Sequence, residues 1–559
     1  MADQEVAGGD TGLRREIGLV PLLFSSEGAI IGSGWLFGAL YASQAAGPAA
    51  LIGWILAGLV IILLALVFAE LGSMYPVGGS TVRVPHFAFG SIIGFSWGWI
   101  AWLGAVAIAP IEVEAVLQYA ANYLKSLKLV TGTAAGGSAV ILSGRGLVVA
   151  ALLMLLFTVI NLMGVSWFAK SNAVLVAFKI ATPTLAAIVL LVVGFHASNL
   201  SSASPGGFAP FGVKGILTAI SEAGIFFALF GFEQAATLAG ESANPRRNVP
   251  IAVIGSVLIG TFIYIALQVA FSGALPHHAI AKGWDKVNFA GAAGPYAGLA
   301  TILGLGWLAF ILYIDAGLSP GGTGLVYTAT SSRLLYGLSR NGYVPRVFEK
   351  TNSRGVPVWS ILLGFIIGML MFLPFRGWAA LVVVITSAYA LFYAVGPLAL
   401  GALRRQEPDR DRPYELPAGG VLAPLAFMAA NFIVYFAGWD TNWKLFLAVI
   451  AGLVIFGLSY ITQSDAERPR LDWRGCLWMW PYLAGLAILS YFGSFGEDKL
   501  HEPWDLIVIA AFSLAIYYFA VSVRLEPERV REYVEAEGVG GEERASRRER
   551  APRRREAPA

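Results

Sequence analysis

Apolar runs of about 20 residues, the length that crosses a bilayer core, recur along this sequence between short stretches rich in charge or turn residues. Reading each run as a membrane-crossing helix predicts about fourteen spans. Their limits are 17–42, 48–72, 88–121, 145–165, 171–195, 214–240, 249–275, 296–328, 356–374, 377–402, 420–438, 443–463, 475–494 and 503–523. Several exceed the bilayer thickness, so they must tilt, break or project beyond it. Residues 1–16 are polar, and the first run is too long for a secretory leader and lacks a clear cleavage site.

Composition agrees with the pattern. Of 559 residues 57% are hydrophobic and 13% charged, and the mean hydropathy is +0.69. A soluble domain carries roughly 25% charged residues, so soluble enzymes, disordered chains and secreted disulfide scaffolds are excluded. The single cysteine, Cys476, makes neither an internal disulfide nor a metal cluster. Five histidines (His86, His196, His277, His278, His501) all fall in predicted loops at spacings that hold no metal. The tryptophans, mostly near predicted span ends, suit interfacial anchors. Gly321-Gly322-Thr323-Gly324 lacks the Lys-Ser/Thr of a phosphate loop and suits close packing or an irregular turn. No Ser/His/Asp triad, zinc-protease motif or nucleotide-binding constellation is present, so neither a cofactor nor a nucleic-acid partner is expected.

The net charge of +3 matters less than where the charges lie. With the N-terminus in the cytoplasm, loops on that side and the segment before the first span hold eighteen Lys and Arg residues, against nine on the other. The positive-inside rule then places both termini in the cytoplasm of a multi-pass protein of the plasma membrane. The segment after Val523 is polar and Arg-rich, expected to be a disordered cytoplasmic tail over 524–559 that is solvated or touches anionic lipid.

One basic residue falls in mid-span, away from the ends: Lys179, in the fifth. An ammonium at bilayer depth costs on the order of 3 kcal/mol, so it must face a partner or a cavity, or lose its proton. It is either a proton carrier or one half of a static structural pair. The same interior holds Glu27 in span one, Glu112 and Glu114 in span three, Glu222 and Glu233 in span six and Asp315 in span eight. Six carboxylates against one lysine cannot all be ionised there, so some are protonated or line water.

Two spans are interrupted in matching places. Span one contains Ile31-Gly32-Ser33-Gly34, and span six, five spans later, contains Phe230-Gly231-Phe232-Glu233. Glycine weakens a helix by about 1 kcal/mol against alanine. Interrupted helices at equivalent positions of two repeats mark a transporter's binding site. A broken helix exposes N–H groups that attract a carboxylate and carbonyls that attract an ammonium. Two facing breaks suit the zwitterion of an amino acid.

At these residues the sequence resembles an amino acid permease of the amino acid–polyamine–organocation superfamily. Gly32-Ser33-Gly34 is similar to that family's first-helix break, and Phe226-Phe-Ala-Leu-Phe-Gly-Phe-Glu233 to its aromatic-rich sixth helix. Glu241-Ser-Ala-Asn-Pro-Arg-Arg-Asn-Val-Pro250 and Ser332-Arg-Leu-Leu-Tyr-Gly-Leu-Ser-Arg-Asn-Gly342, with Pro345, resemble the loops after helices six and eight. Bacterial aspartate–proton symporter-like members share Asp315 with Ser319-Pro-Gly-Gly322, Gly207-Phe-Ala-Pro-Phe-Gly212 and Tyr491-Phe-Gly-Ser-Phe-Gly496. The resemblance runs from about residue 16 to about 523.

The resemblance implies an all-α, five-plus-five inverted-repeat fold with helices one and six discontinuous. The repeats would be 17–195 and 214–402, followed by about four extra helices over 420–523. It implies amino acid uptake by alternating access, coupled to protons. Ile30, Gly32, Ser33, Gly34, Phe230 and Gly231 would bind substrate, with Phe227 as an aromatic gate. Lys179 and Glu233 would serve proton coupling, with Glu112 and Asp315 as further acids. Those relatives lack the acids at Glu27, Glu114, Glu222 and Glu233. Extra carboxylates would repel an anionic substrate, which keeps neutral or cationic amino acids and polyamines open. An amino acid exchanger and an amino acid-sensing transceptor without net flux are the alternatives to a symporter.

Overall fold

A computed structural model describes residues 15–132, 140–163, 166–374, 377–464 and 468–536, without the side chains of 166–172. The described chain is mostly helical, and its two strands, Val130–Thr131 and Ile141–Leu142, form one short antiparallel hairpin. The first half holds α1 (Leu19–Ile30), α2 (Gly34–Ala46), α3 (Ala50–Met74), α4 (Ser80–Phe89), α5 (Ser91–Ala120), α6 (Gly144–Leu162) and α7 (Ser166–Val193). Next come α8 (Gly212–Ser221), α9 (Ile225–Ala228), α10 (Glu233–Thr237), α11 (Pro245–Ala274), α12 (His277–Ile280), α13 (Pro295–Ile302), α14 (Gly306–Arg340), α15 (Val358–Met371) and α16 (Trp378–Gln406). The remainder is α17 (Gly419–Phe436), α18 (Trp439–Thr462), α19 (Trp473–Cys476), α20 (Met479–Phe492), α21 (Trp504–Ser522) and α22 (Pro527–Ala536).

Each of the fourteen apolar runs falls on a helix or a string of helices. Ten helical stretches among the described residues are long and apolar enough to cross a membrane, which makes this a multi-pass membrane protein. Four predicted spans fall outside that set, wholly or in their first part, each for a physical reason. Span one is split between α1 and α2, and span six between α8, α9 and α10. Span nine is the 14-residue α15. Span eight, α14, is 35 residues long but diluted by Asp315, Ser319, Thr323 and a run of glycines.

The centre is α5, buried along nearly its whole length and packed against α14 and α16, while α3 packs along α11. Apolar side chains such as Leu59, Leu152, Val192, Phe262, Phe310 and Ile461 point outward, as a hydrocarbon solvent allows. One end of the bundle is fastened by ions. Buried Glu70, near the end of α3, accepts Arg404 Nε at 2.9 Å and Nη2 at 2.6 Å, and the Leu416 N–H at 2.7 Å. The bidentate fork and the backbone donor together compensate a carboxylate that has no exposure.

The structure corrects three expectations. The start of the C-terminal segment is not a disordered tail: α22 forms, because Val530 and Val534, four residues apart on one face, are buried; residues 537–559 lie outside the described part. His86 is not in a loop but on α4, with Nδ1 at 2.8 Å from the Tyr343 hydroxyl; burial pushes its imidazole down to about 4. His277 and His278 begin α12. The tryptophans divide. Trp307, Trp359, Trp443, Trp473, Trp480 and Trp504 are exposed near helix starts, as interfacial anchors are, but Trp35, Trp54, Trp97, Trp102, Trp284, Trp378 and Trp478 are core residues.

Candidate functional site

α1 ends at Ile30 and α2 begins at Gly34, so Ile31, Gly32 and Ser33 are unwound and buried. The second interruption lies between α9 and α10, where Gly231 has φ +116°, a conformation open to glycine and costly for other residues. The two interruptions abut. A Cβ on Gly231 would stand 2.7 Å from the Ala29 carbonyl carbon and the Ile30 nitrogen, and one on Gly34 would stand 2.7 Å from Ala228 Cα. Ser26 ties them further, donating to Phe232 O at 3.0 Å and accepting from Ala235 N at 3.1 Å.

The carbonyls left unpaired at the end of α1 are met by three donors from other helices. Lys179 Nζ donates to Gly28 O at 2.6 Å and to Thr323 Oγ1 at 2.8 Å, joining α7, α1 and α14. Thr323 Oγ1 lies 3.2 Å from Gly28 O and 3.4 Å from Ile31 O, and the Tyr264 hydroxyl donates to Ile30 O at 2.9 Å. Lys179 is 1% exposed, so these contacts replace its water.

Ser33, the residue before α2, faces an acid and an indole. Ser33 N donates to Glu112 Oε2 at 2.9 Å, and a Cβ on Gly32 would stand 2.7 Å from Glu112 Oε1. The carboxylate of Glu112 thus sits where an anion meets a helix N-terminus. Trp378 Nε1 donates to Ser33 Oγ at 2.8 Å. Its ring stacks on Tyr41 and packs against Phe37 and Phe227, covering the interruption from the end of the bundle that also holds the hairpin.

Glu233 opens α10. Its Oε2 accepts from Gly231 N at 3.0 Å and from the Tyr393 hydroxyl at 2.7 Å, and its Oε1 accepts from the Tyr327 hydroxyl at 3.2 Å. Phe230 stacks on Tyr389 with ring centres 4.6 Å apart.

Gly32, Ser33, Gly34, Ile30, Phe230, Gly231, Lys179, Glu112 and Glu233 therefore converge, and Phe227 meets them directly at Phe230 and through Trp378. Asp315 does not bond to that cluster: its Oδ1 accepts from Ser319 on its own helix at 2.8 Å. Glu114 accepts from Gly377 N at 3.2 Å, above the interruption. Glu27 is buried with both carboxyl oxygens unpartnered among the described residues, and Glu222 is half-buried at the break between α8 and α9. Sequence reasoning missed Thr323, Tyr264, Tyr327, Tyr393 and Trp378. Thr323 lies in the glycine run, which is continuous helix and not an irregular turn. Gly322 and Gly324 there let Leu175 and Phe157 approach.

A multi-pass helical bundle with abutting interruptions around buried charge has the architecture of a membrane permease. Residues 17–456 match the family model for amino acid permeases, and the chain belongs to that family. It is 37% identical over 525 residues to a glutamate/serine transporter of Bacillus subtilis, covering 93% of this chain and 96% of that one. It is 37% identical over 511 residues to the aspartate–proton symporter of the same organism, covering 91% and 96%. A branched-chain amino acid permease, also of Bacillus subtilis, is 28% identical over 466 residues, covering 80% and 94%. These relatives are transporters and not enzymes.

Proposed function

We propose that this protein is a proton-coupled amino acid symporter of the plasma membrane, with both termini cytoplasmic, working by alternating access. The core would be two inverted five-helix repeats, 17–195 and 214–402, with the helices of 420–523 added. The observation that carries the proposal is the Lys179 ammonium, which bridges Gly28 O and Thr323 Oγ1 beside the two abutting interruptions. Charged, it holds α1 to α14; without its proton it loses its attraction for those acceptors, and the two helices can part. Proton release thereby becomes linked to opening.

The substrate carboxylate binds the N–H groups of Gly32, Ser33 and Gly34, where Glu112 now sits, and displaces it. Glu112, once displaced, accepts the proton that Lys179 releases and leaves as a neutral acid. The ammonium binds at the carbonyls around Ile30 and Phe230, beside Gly231, and Trp378 and Phe227 cover the occupied site from outside. Glu233, held by two tyrosine hydroxyls and the Gly231 N–H, fixes the start of α10. Among the described residues Lys179 is the one cation in the cluster, against Glu112 and Glu233. That excess of carboxylate disfavours an acidic side chain, and the name of the glutamate/serine relative supports the small neutral one of serine.

Uptake of labelled serine into proteoliposomes, with and without an imposed pH gradient, tests this. Glutamate, aspartate, lysine and putrescine serve as competitors. Uptake driven by an acidic exterior and blocked best by unlabelled serine supports the proposal. Stronger competition by glutamate or aspartate moves the substrate to the acidic class. Flux only against internal amino acid makes the protein an exchanger, and binding without flux makes it a sensor.

A further inference from the structure

The C-terminal helix α22 plays no part in the proposed cycle, yet it is docked. Leu525, just before it, donates its N–H to Ala88 O of α4 at 3.2 Å, and Gln406 Nε2 joins Leu525 O at 2.8 Å to Ala88 O at 3.0 Å. Val530 and Val534 are buried. Tyr533 places its ring 4.2 Å from that of His86 on α4 and donates its hydroxyl to Asp472 at 2.6 Å; Arg529 reaches the same carboxylate at 3.4 Å.

The other end of α4 grips the second interruption. Gly79 N donates to Thr237 O at 2.8 Å, Ser80 Oγ donates to Ala236 O at 2.7 Å, and the hydroxyls of Thr81 and Thr237 lie 3.1 Å apart. Ala236 and Thr237 end α10, whose first residue is Glu233. One short helix thus connects the C-terminal segment to the half-helix that borders the site.

We propose that α22 is a cytoplasmic clasp: docked on α4, it holds α4 against α10 and opposes opening of the site to the cytoplasm. The clasp rests on the transporter reading and orientation proposed above. Its logic is linkage, since a contact made in the closed arrangement and lost in the open one stabilises the closed one. α22 meets α4 through a small apolar face and is tied to one carboxylate beside it, Asp472, which the first residue of α5 also bonds, so it can detach without dismantling the bundle.

The test uses the full chain with Cys476→Ala, and Ala239→Cys as a reporter buried just beyond α10. The clasp is released by Val530→Asp with Val534→Asp, and weakened by Tyr533→Phe, which keeps the ring over His86 and loses the bond to Asp472. The proposal expects thiol labelling of Cys at position 239 to speed up severalfold on release and less with Tyr533→Phe, with faster counterflow of labelled amino acid. Unchanged labelling in a released variant that still binds amino acid overturns the clasp. Should the double variant lose binding, Tyr533→Phe decides, and labelling equal to that of the unreleased protein again overturns it. If labelling speeds up while the intact protein moves no amino acid, the clasp stands and the transport reading falls.

Discussion

Lys179→Met removes the ammonium and keeps a side chain of similar length. Locally the variant loses two bonds from a charged donor, to Gly28 O and Thr323 Oγ1. Bonds of this kind contribute about 1.5–3 kcal/mol. Against that stands the cost of holding an ammonium at bilayer depth, on the order of 3 kcal/mol. Gly28 O also keeps the Thr323 hydroxyl at 3.2 Å. The effects largely offset each other, so the variant should fold, with a net loss of stability of about 0–3 kcal/mol. Its effect on energy coupling is larger. One pH unit supplies about 1.4 kcal/mol per proton, an accumulation of about tenfold at one proton per substrate. With no titrating group at position 179, accumulation in proteoliposomes should collapse to the equilibrium ratio while counterflow, which needs no net proton movement, continues. A variant that still concentrates amino acid on a pH gradient refutes the coupling role. A variant that folds but loses counterflow and binding as well makes Lys179 a structural bridge and refutes it too.

Gly231→Ala places a side chain at φ +116° and 2.7 Å from Ala29 and Ile30. Strain of about 1–3 kcal/mol should push the interruptions apart and weaken amino acid binding about tenfold or more by calorimetry; an unchanged Kd contradicts the shared site. Trp378→Phe keeps a ring among Tyr41, Phe37 and Phe227 but loses the bond to Ser33. Losing about 1 kcal/mol of closure should speed substrate dissociation to the outside about fivefold, and an unchanged rate in stopped-flow release contradicts the cover. Arg404→Met leaves buried Glu70 without its bidentate partner and should destabilise the bundle by about 3–5 kcal/mol, read as a lowered thermal midpoint; an unchanged midpoint would show the pair to be idle.

How far the sequence reached follows from how local each signal is. An apolar run reports its own solvent, so all fourteen runs found helices, and a glycine within two residues of a polar one in such a run marked the interruptions at Gly32 and Gly231. Lys179 was legible because an ammonium in lipid has few alternatives to a functional or structural partner. Its partners were not: Gly28 and Thr323 are 151 and 144 residues away, and nothing local distinguishes that threonine. Trp378 looked like an interfacial anchor, since a tryptophan at a span's start has the same signature whether it faces headgroups or a neighbouring helix. The C-terminal helix escaped because its apolar face is only a few residues wide, and burial of Val530 and Val534 depends on α4, more than 400 positions earlier in the chain.

The central claim is that amino acid and proton cross together. Proteoliposomes holding a pH-sensitive dye, with no gradient imposed, test it directly when serine is added outside. The account predicts acidification of the interior on serine addition, larger at higher serine concentration and absent in Lys179→Met. Serine entry at a constant internal pH would contradict it.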